Sequence, residues 1–122
     1  MAKSKLLIAD DSKSMQMFYS NQLPEELFDV QVFGNGRELI DGLCSCRPDL
    51  IILDFDMPEM NGLETLTYIR QEVDLQQVPV IMVTSRAEKE KVLACAKLGV
   101  TGYVIKPFKV DELLYKITAC LP

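Results

Sequence analysis

Two carboxylates close the apolar run Leu50-Ile51-Ile52-Leu53: Asp54 follows it directly, and Asp56 stands two residues on, before Met57-Pro58. A run without polar alternation is the pattern of a strand buried on both faces. A carboxylate at the tip of such a strand needs a partner, because an unpaired buried charge is costly. Polar residues close other apolar runs in the same way: Asp10-Asp11, Thr84-Ser85 and Lys106-Pro107. Taken singly, each has an ordinary explanation. Asp11 suits a helix cap, Thr84 a strand residue capping the next helix, and Lys106 a solvated surface lysine. Taken together, they are a set that can do chemistry. Carboxylates brought close repel one another unless a cation neutralises them. Oxygen ligands in a chain with no His favour a hard ion such as magnesium, which retains waters and takes one or two carboxylates plus phosphate oxygens. A lysine opposite them supplies fixed positive charge, and a threonine hydroxyl can donate to an incoming oxygen. An anion with several oxygens, held by metal, lysine and hydroxyl, points to a phosphoryl group. A central carboxylate can attack it and form an acyl phosphate.

The elements that must position this set alternate along the chain. Strands are expected over Lys5–Ala9, Asp29–Phe33, Leu50–Leu53, Val80–Thr84 and Gly102–Ile105, separated by segments of helical period. Ser12 or Asp11 can cap a first helix with Met15, Phe18 and Tyr19 inward. Gly36 precedes a second with Leu39, Ile40 and Leu43 inward and Pro48 beyond its end. Gly62 precedes a third that buries Leu63, Leu66 and Ile69. Ser85 or Ala87 starts a fourth with Val92, Leu93 and Ala96 inward, stopped near Gly99, and a fifth after Pro107 buries Leu113, Leu114 and Ile117. Strand then helix, repeated five times, is an α/β fold with a parallel sheet between two helical layers, a flavodoxin-like (βα)5 three-layer sandwich of strand order 2-1-3-4-5. In such sheets, ligands bind beyond the carboxyl ends of the strands. The polar residues of every strand but the second fall at that end, and the first and third strands are neighbours, so Asp10, Asp11 and Asp54 should converge.

Composition removes several classes of function. The chain has 122 residues, enough for one domain, expected over 1–122, and 48% of them are apolar, which a disordered chain would not be. Its net charge is -5 with Lys and Arg scattered, so no direct nucleic-acid binding is expected. No run of about 18 apolar residues is present to cross a membrane, and the start has too short an apolar run for a signal peptide, which points to the cytoplasm. Cys44, Cys46, Cys95 and Cys120 suit reduced, small hydrophobic residues; Cys44-x-Cys46 without any His is a poor zinc site. The lack of His also excludes a phosphohistidine or a His-based triad in this chain.

The chain resembles the CheY-like receiver domain of two-component response regulators, over essentially its whole length. The resemblance rests on Asp10-Asp11, on Asp54-x-x-Met57-Pro58 with Gly62, on Thr84-Ser85 and on Lys106-Pro107-Phe108, in that order and spacing. It implies that Asp54 accepts a phosphoryl group from a phosphohistidine on a sensor histidine kinase or phosphotransfer protein. It implies magnesium, with manganese a substitute, held by the side chains of Asp11 and Asp54, by Asp10 largely through water, and by the backbone carbonyl of Asp56. Lys106 would contact Asp54 and the phosphoryl group, Thr84 would bond a phosphoryl oxygen and move, and Tyr103 would be the rotating aromatic switch; its ordinary reading is a half-buried strand tyrosine. The Lys106-Pro107 bond is expected to be cis, an isomer that X-Pro bonds tolerate at about 0.5–1 kcal/mol. Asp56 and Arg86 occupy positions that vary among relatives and flank the path of water. A pair between them across the site mouth is expected to slow hydrolysis of the acyl phosphate; the alternative is two solvated charges worth about 0–1 kcal/mol if paired.

The function expected from this resemblance is a single-domain response regulator, ending at Pro122 after the fifth helix, a monomer or weak phosphorylation-linked dimer. Phosphorylation would shift a two-state equilibrium on the face of helix 4, strand 5 and helix 5, with Lys89, Val92, Lys97, Tyr103 and Lys116 as candidate contacts for a downstream protein. It would be a signalling phosphoacceptor rather than a turnover enzyme. Two other readings compete. Asp54-x-Asp56 also resembles the nucleophile motif of haloacid-dehalogenase-like phosphatases, but that family places its nucleophile on the first strand and its acid pair last. A receiver-shaped module that binds a partner without phosphorylation would not need Asp10, Asp11, Asp54, Thr84 and Lys106 all at once. Flavin binding in the flavodoxin manner is disfavoured by Asp-Asp where an anion-binding loop belongs.

Overall fold

A computed structural model of the chain describes residues 3–43, 47–85 and 89–121, apart from the side chain of Lys89. Within them the elements alternate as expected: β1 (Ser4–Ala9), α1 (Lys13–Gln22), β2 (Phe28–Phe33), α2 (Gly36–Gly42), β3 (Leu50–Asp54), α3 (Gly62–Gln71), a 3₁₀ turn (Val73–Leu75), β4 (Val80–Thr84), α4 (Lys89–Lys97), β5 (Gly102–Ile105) and α5 (Val110–Cys120). The strands form one parallel sheet in the order β2-β1-β3-β4-β5. Registers Leu6↔Leu50 and Ala9↔Leu53 align β1 with β3, and Asp54↔Val83 aligns β3 with β4. This is the flavodoxin-like order, and it puts the ends of β1, β3, β4 and β5 along one edge.

Alternate side chains of the central strands feed two cores, one on each face of the sheet. Leu6, Ile8, Leu50, Ile52, Ile81 and Val83 pack with Tyr19 of α1 and Leu113 and Ile117 of α5. Leu7, Ala9, Ile51, Leu53, Val80 and Met82 pack with Leu39 of α2, Leu66 and Ile69 of α3, and Cys95 of α4. All of β3 and β4 is buried, which is why their sequences show no polar alternation.

The starts of α1, α2 and α3 are set by local capping. Ser12, rather than Asp11, caps α1: its hydroxyl accepts from the N–H of Met15. Gly36 and Gly62 do not precede α2 and α3 but are their first residues, after the caps Asn35 and Asn61. Asn61 and Glu64 form a reciprocal capping box, and Asn35 pairs with Glu38 through the same two residue types at the same spacing. Gly36 is required by packing, since a Cβ there would stand 1.9 Å from Thr65 Oγ1.

The fourth helix departs from expectation. Its described part begins at Lys89, and Ser85, an expected start, precedes it in a bend; Ala87, the other, lies outside the described residues. Cys95 is fully buried and Leu98 packs beside it, whereas Leu93 is 50% exposed and Ala96 also faces solvent. Apolar residues run from Val92 to Ala96 without a break, so period alone could not set the phase of this helix. Its far end is held by Arg70 of α3, whose guanidinium donates to the carbonyls of Leu98, Gly99 and Leu75 at 3.2, 2.8 and 3.0 Å. Cys95 is buried and Cys120 half-buried, both free thiols; Cys44 and Cys46 lie outside the described residues. No helix among the described residues is long and apolar enough to cross a membrane.

Candidate functional site

The carboxyl ends of β1, β3, β4 and β5 deliver four of the expected side chains to one place. Asp10, which follows β1, is completely buried; Asp54 at the end of β3 is 6% exposed; Thr84 at the end of β4 is completely buried. Lys106 follows β5 directly. Its ammonium lies 3.1 Å from Asp10 Oδ2 and 3.4 Å from Asp54 Oδ1, so one cation answers two buried anions. The other oxygen of Asp10 accepts from the N–H of Ser12 at 2.9 Å, and its carbonyl accepts from the Gln16 side chain at 2.8 Å. Asp10 is thereby oriented by the first turn of α1, and Gln16 is a support that no motif announced.

Asp11 is exposed, yet one of its carboxylate oxygens lies within 4.8 Å of oxygens of both Asp10 and Asp54. Three oxygen donors at that separation, two of them buried and with no nitrogen or sulfur ligand among them, fit a hard divalent ion. Burial first, and the neighbouring Asp10 charge second, push Asp54 up to about 6; the Lys106 charge and hydrogen bond pull the other way, and Asp11 adds to the rise. Lys106 alone does not offset burial and the two neighbouring carboxylates. Burial, with the charges of Asp10 and Asp54, also holds the Tyr19 hydroxyl well above the usual tyrosine range.

The backbone is fitted tightly around Asp54. The N–H of Phe55 donates to Val83 O at 2.7 Å and that of Lys106 to Thr84 O at 2.7 Å, carrying the sheet's pairing one step past the strand ends. The loop from β3 to α3 returns so closely that the Gly62 N–H donates to Phe55 O at 2.9 Å. A Cβ on Gly62 would stand 2.5 Å from the Asp54 carbonyl oxygen, so only glycine fits. Within this loop Glu59 adopts a left-handed φ of 64°. The Lys106-Pro107 peptide bond is cis. Beside Lys106 opens a largely apolar cleft of about 380 Å³, lined by Met15, Phe18, Ser85, Pro107 and Phe108. The rings of Phe18 and Phe108 meet edge-on at 5.6 Å.

Asp56 is not gathered with the other acids. Its side chain is 66% exposed and points to Lys91 of α4, whose ammonium is 3.8 Å away and 4.8 Å from the centre of the Phe55 ring. Lys91 was invisible as a site residue, since it sits in a helix with no motif around it. Arg86, the expected partner of Asp56, lies outside the described residues. Tyr103 of β5 is half-buried, packed against the core under α2, α3 and α4, with its hydroxyl oxygen shielded from solvent. On the outer face of α4, β5 and α5, Lys97 is exposed and Val92 and Lys116 are half-buried, and the large apolar side chains open to solvent are Leu93, Ile105 and Tyr115.

Comparison with known proteins places this arrangement among relatives. The family model described as the response regulator receiver domain matches residues 6–118. The chemotaxis protein CheY-3 of Vibrio cholerae is 34% identical over 119 residues, covering 93% of this chain and 88% of that protein. The response regulator ArlR of Staphylococcus saprophyticus is 34% identical over 118 residues, 97% of this chain; the chain spans about half of that relative, 52%. Among solved structures, the chemotaxis response regulator CheY4 of Vibrio cholerae superposes with a TM-score of 0.92 at 31% identity, over 98% of this chain and all of that one. The signal receiver domain of a signal transduction histidine kinase from Syntrophus aciditrophicus gives 0.88 at 30% identity, over 97% and 89% of the two chains.

Proposed function

Because the chain belongs to the family of response regulator receiver domains, we propose that residues 1–122 act as one signalling domain that takes a phosphoryl group onto Asp54 from the phosphohistidine of a sensor kinase or phosphotransfer protein. The observation that carries this reading is the Lys106 ammonium lying between Asp10 and Asp54, 3.1 and 3.4 Å from their oxygens, at the edge where Asp11 and Thr84 also arrive.

Each residue has a physical role in that transfer. An Asp54 oxygen attacks phosphorus as the phosphorus–nitrogen bond of the donor breaks, which leaves an acyl phosphate here and an imidazole on the donor. Lys106 stabilises the negative charge on the transferring oxygens and, being held by Asp10, is already in position before they arrive. The Thr84 hydroxyl would donate to one of those oxygens. Asp10, Asp11, Asp54 and the Asp56 carbonyl would hold a divalent ion, magnesium by the chemistry of the donors, with manganese able to substitute. That ion would supply the positive charge that the raised pKa of Asp54 calls for. Bound to the chain, it would also account for why so many acids are tolerated at a buried edge. The apolar cleft beside Lys106 gives a protein donor a surface to rest on while it presents its phosphohistidine.

The consequence of transfer is a shift of α4, β5 and α5, read by a downstream protein through the face that carries Leu93, Ile105 and Tyr115, with Thr84 and Tyr103 linking site and face. The cytoplasm is the compartment this function needs. Placement of the acid pair after β1 and of Asp54 on β3 favours this reading over the phosphatase, whose nucleophile leads the chain. Acetyl phosphate with magnesium should label the protein once, at Asp54, as read by intact-protein and peptide mass spectrometry, and Asp54→Asn should abolish the label. Catalytic turnover of phosphate monoesters, or labelling that survives Asp54→Asn, would overturn it.

A further inference from the structure

The carboxylates of Asp10, Asp11 and Asp54 converge at one end of the sheet, and Lys106 reaches Asp10 and Asp54. Asp56 is answered from a different element. Lys91 extends from α4 until its ammonium is 3.8 Å from Asp56 Oδ1 and 4.8 Å from the centre of the Phe55 ring, and its side chain is only 25% exposed. A lysine on an outer helix ordinarily keeps its ammonium in water. This one is held from two sides, by a carboxylate and by the face of a nearly buried ring, over the two residues that follow Asp54.

We propose that Lys91 is a positioning residue that neutralises Asp56 and so sets the charge that an anionic phosphodonor and a divalent cation meet at the site. The inference rests on the reading of Asp54 as the phosphoryl acceptor. Lys91 acts through Asp56 and not on the reacting atoms. Without the ammonium, Asp56 adds an uncompensated negative charge two residues from Asp54. That charge repels a donor whose phosphoryl oxygens are anionic and attracts a divalent cation. The two effects have opposite signs, which a packing defect would not produce.

Lys91→Met keeps an unbranched stem over Phe55 and removes the charge. In the full chain, the acetyl phosphate concentration for half-maximal labelling should rise and the magnesium dissociation constant measured by calorimetry should fall, each by roughly two- to fivefold, the range of an exposed ion pair. Both shifts should shrink as salt is added, and Lys91→Arg should keep the wild-type values. In an Asp56→Asn background, Lys91→Met should shift both quantities clearly less than it does in the wild type, because the carboxylate it answers is gone. Unchanged donor and magnesium dependence in Lys91→Met would overturn the proposal. So would shifts of undiminished size in the Asp56→Asn background, which would show that Lys91 acts through a group other than Asp56. A wild-type chain that takes no label at Asp54 would instead sink the acceptor reading, and the magnesium titrations would still decide the pairing of Lys91 with Asp56.

Discussion

The connection from β5 to α5 and the first turn of α4 each bring one lysine to the same end of the sheet, into very different surroundings. Lys106 stands between two carboxylates that are almost wholly buried, one of them fixed by the backbone of α1. Lys91 meets one carboxylate that is 66% exposed and one aromatic ring. The first contact is desolvated, so it is strong, and breaking it leaves buried anions unanswered. The second is screened by water and salt, so it can adjust a charge but cannot hold a structure together. The lesson is that proximity to a site does not rank residues; the dielectric around each contact does.

Lys106→Met should break the strong half of this contrast, lowering the labelling rate of Asp54 by about 100-fold, the scale on which a preorganised electrostatic group contributes. An effect as small as that of Lys91→Met would show that the two lysines are equivalent and the contrast wrong. Gly62→Ala tests the buried half through packing instead of charge. Its methyl would collide with the Asp54 carbonyl, and the melting free energy should fall by about 1–3 kcal/mol in denaturant titrations, the usual range for overpacking.

The titration of Asp54 sharpens the contrast without kinetics. With divalent ions removed, the Asp54 carboxyl should titrate near 6 in carbon-13 spectra, and Lys106→Met should raise it further, because Lys106 pulls it down. Lys91→Met should leave it nearly in place. Since the folded value lies above that of the unfolded chain, the folded state holds the Asp54 proton more tightly. This group's contribution to stability is therefore present below pH 4 and lost as the pH rises through about 6. Asp54→Asn should melt above the wild type at pH 7 without magnesium, and that advantage should close toward pH 4. The smallest expected effect is the two- to fivefold shift of Lys91→Met, which is read most clearly at low salt.

The same contrast separates what sequence reading reached from what it did not. Strands β4 and β5 fall on their expected residues, and β1, β2 and β3 each run one residue longer, to include Ser4, Phe28 and Asp54. Long apolar runs ending in polar residues admit little else. The inward face of α4 differs from the expected one, because five apolar residues in a row leave its phase open and the packing of Cys95 decides it. The caps of α2 and α3 are written in the sequence as Asn35-x-x-Glu38 and Asn61-x-x-Glu64, one residue ahead of the glycines expected to precede those helices.

Residue pattern alone is enough to read the five strands, their parallel order and the polar residues Asp10, Asp11, Asp54, Thr84 and Lys106 at their carboxyl ends, because unbroken apolar runs leave little else for those segments to be. Which acid each cation answers is settled by packing. Lys106 lies 96 residues from Asp10 in the chain and Lys91 lies on a helix whose phase its own residues do not specify, so those pairings follow from how the layers pack and how much water each contact keeps.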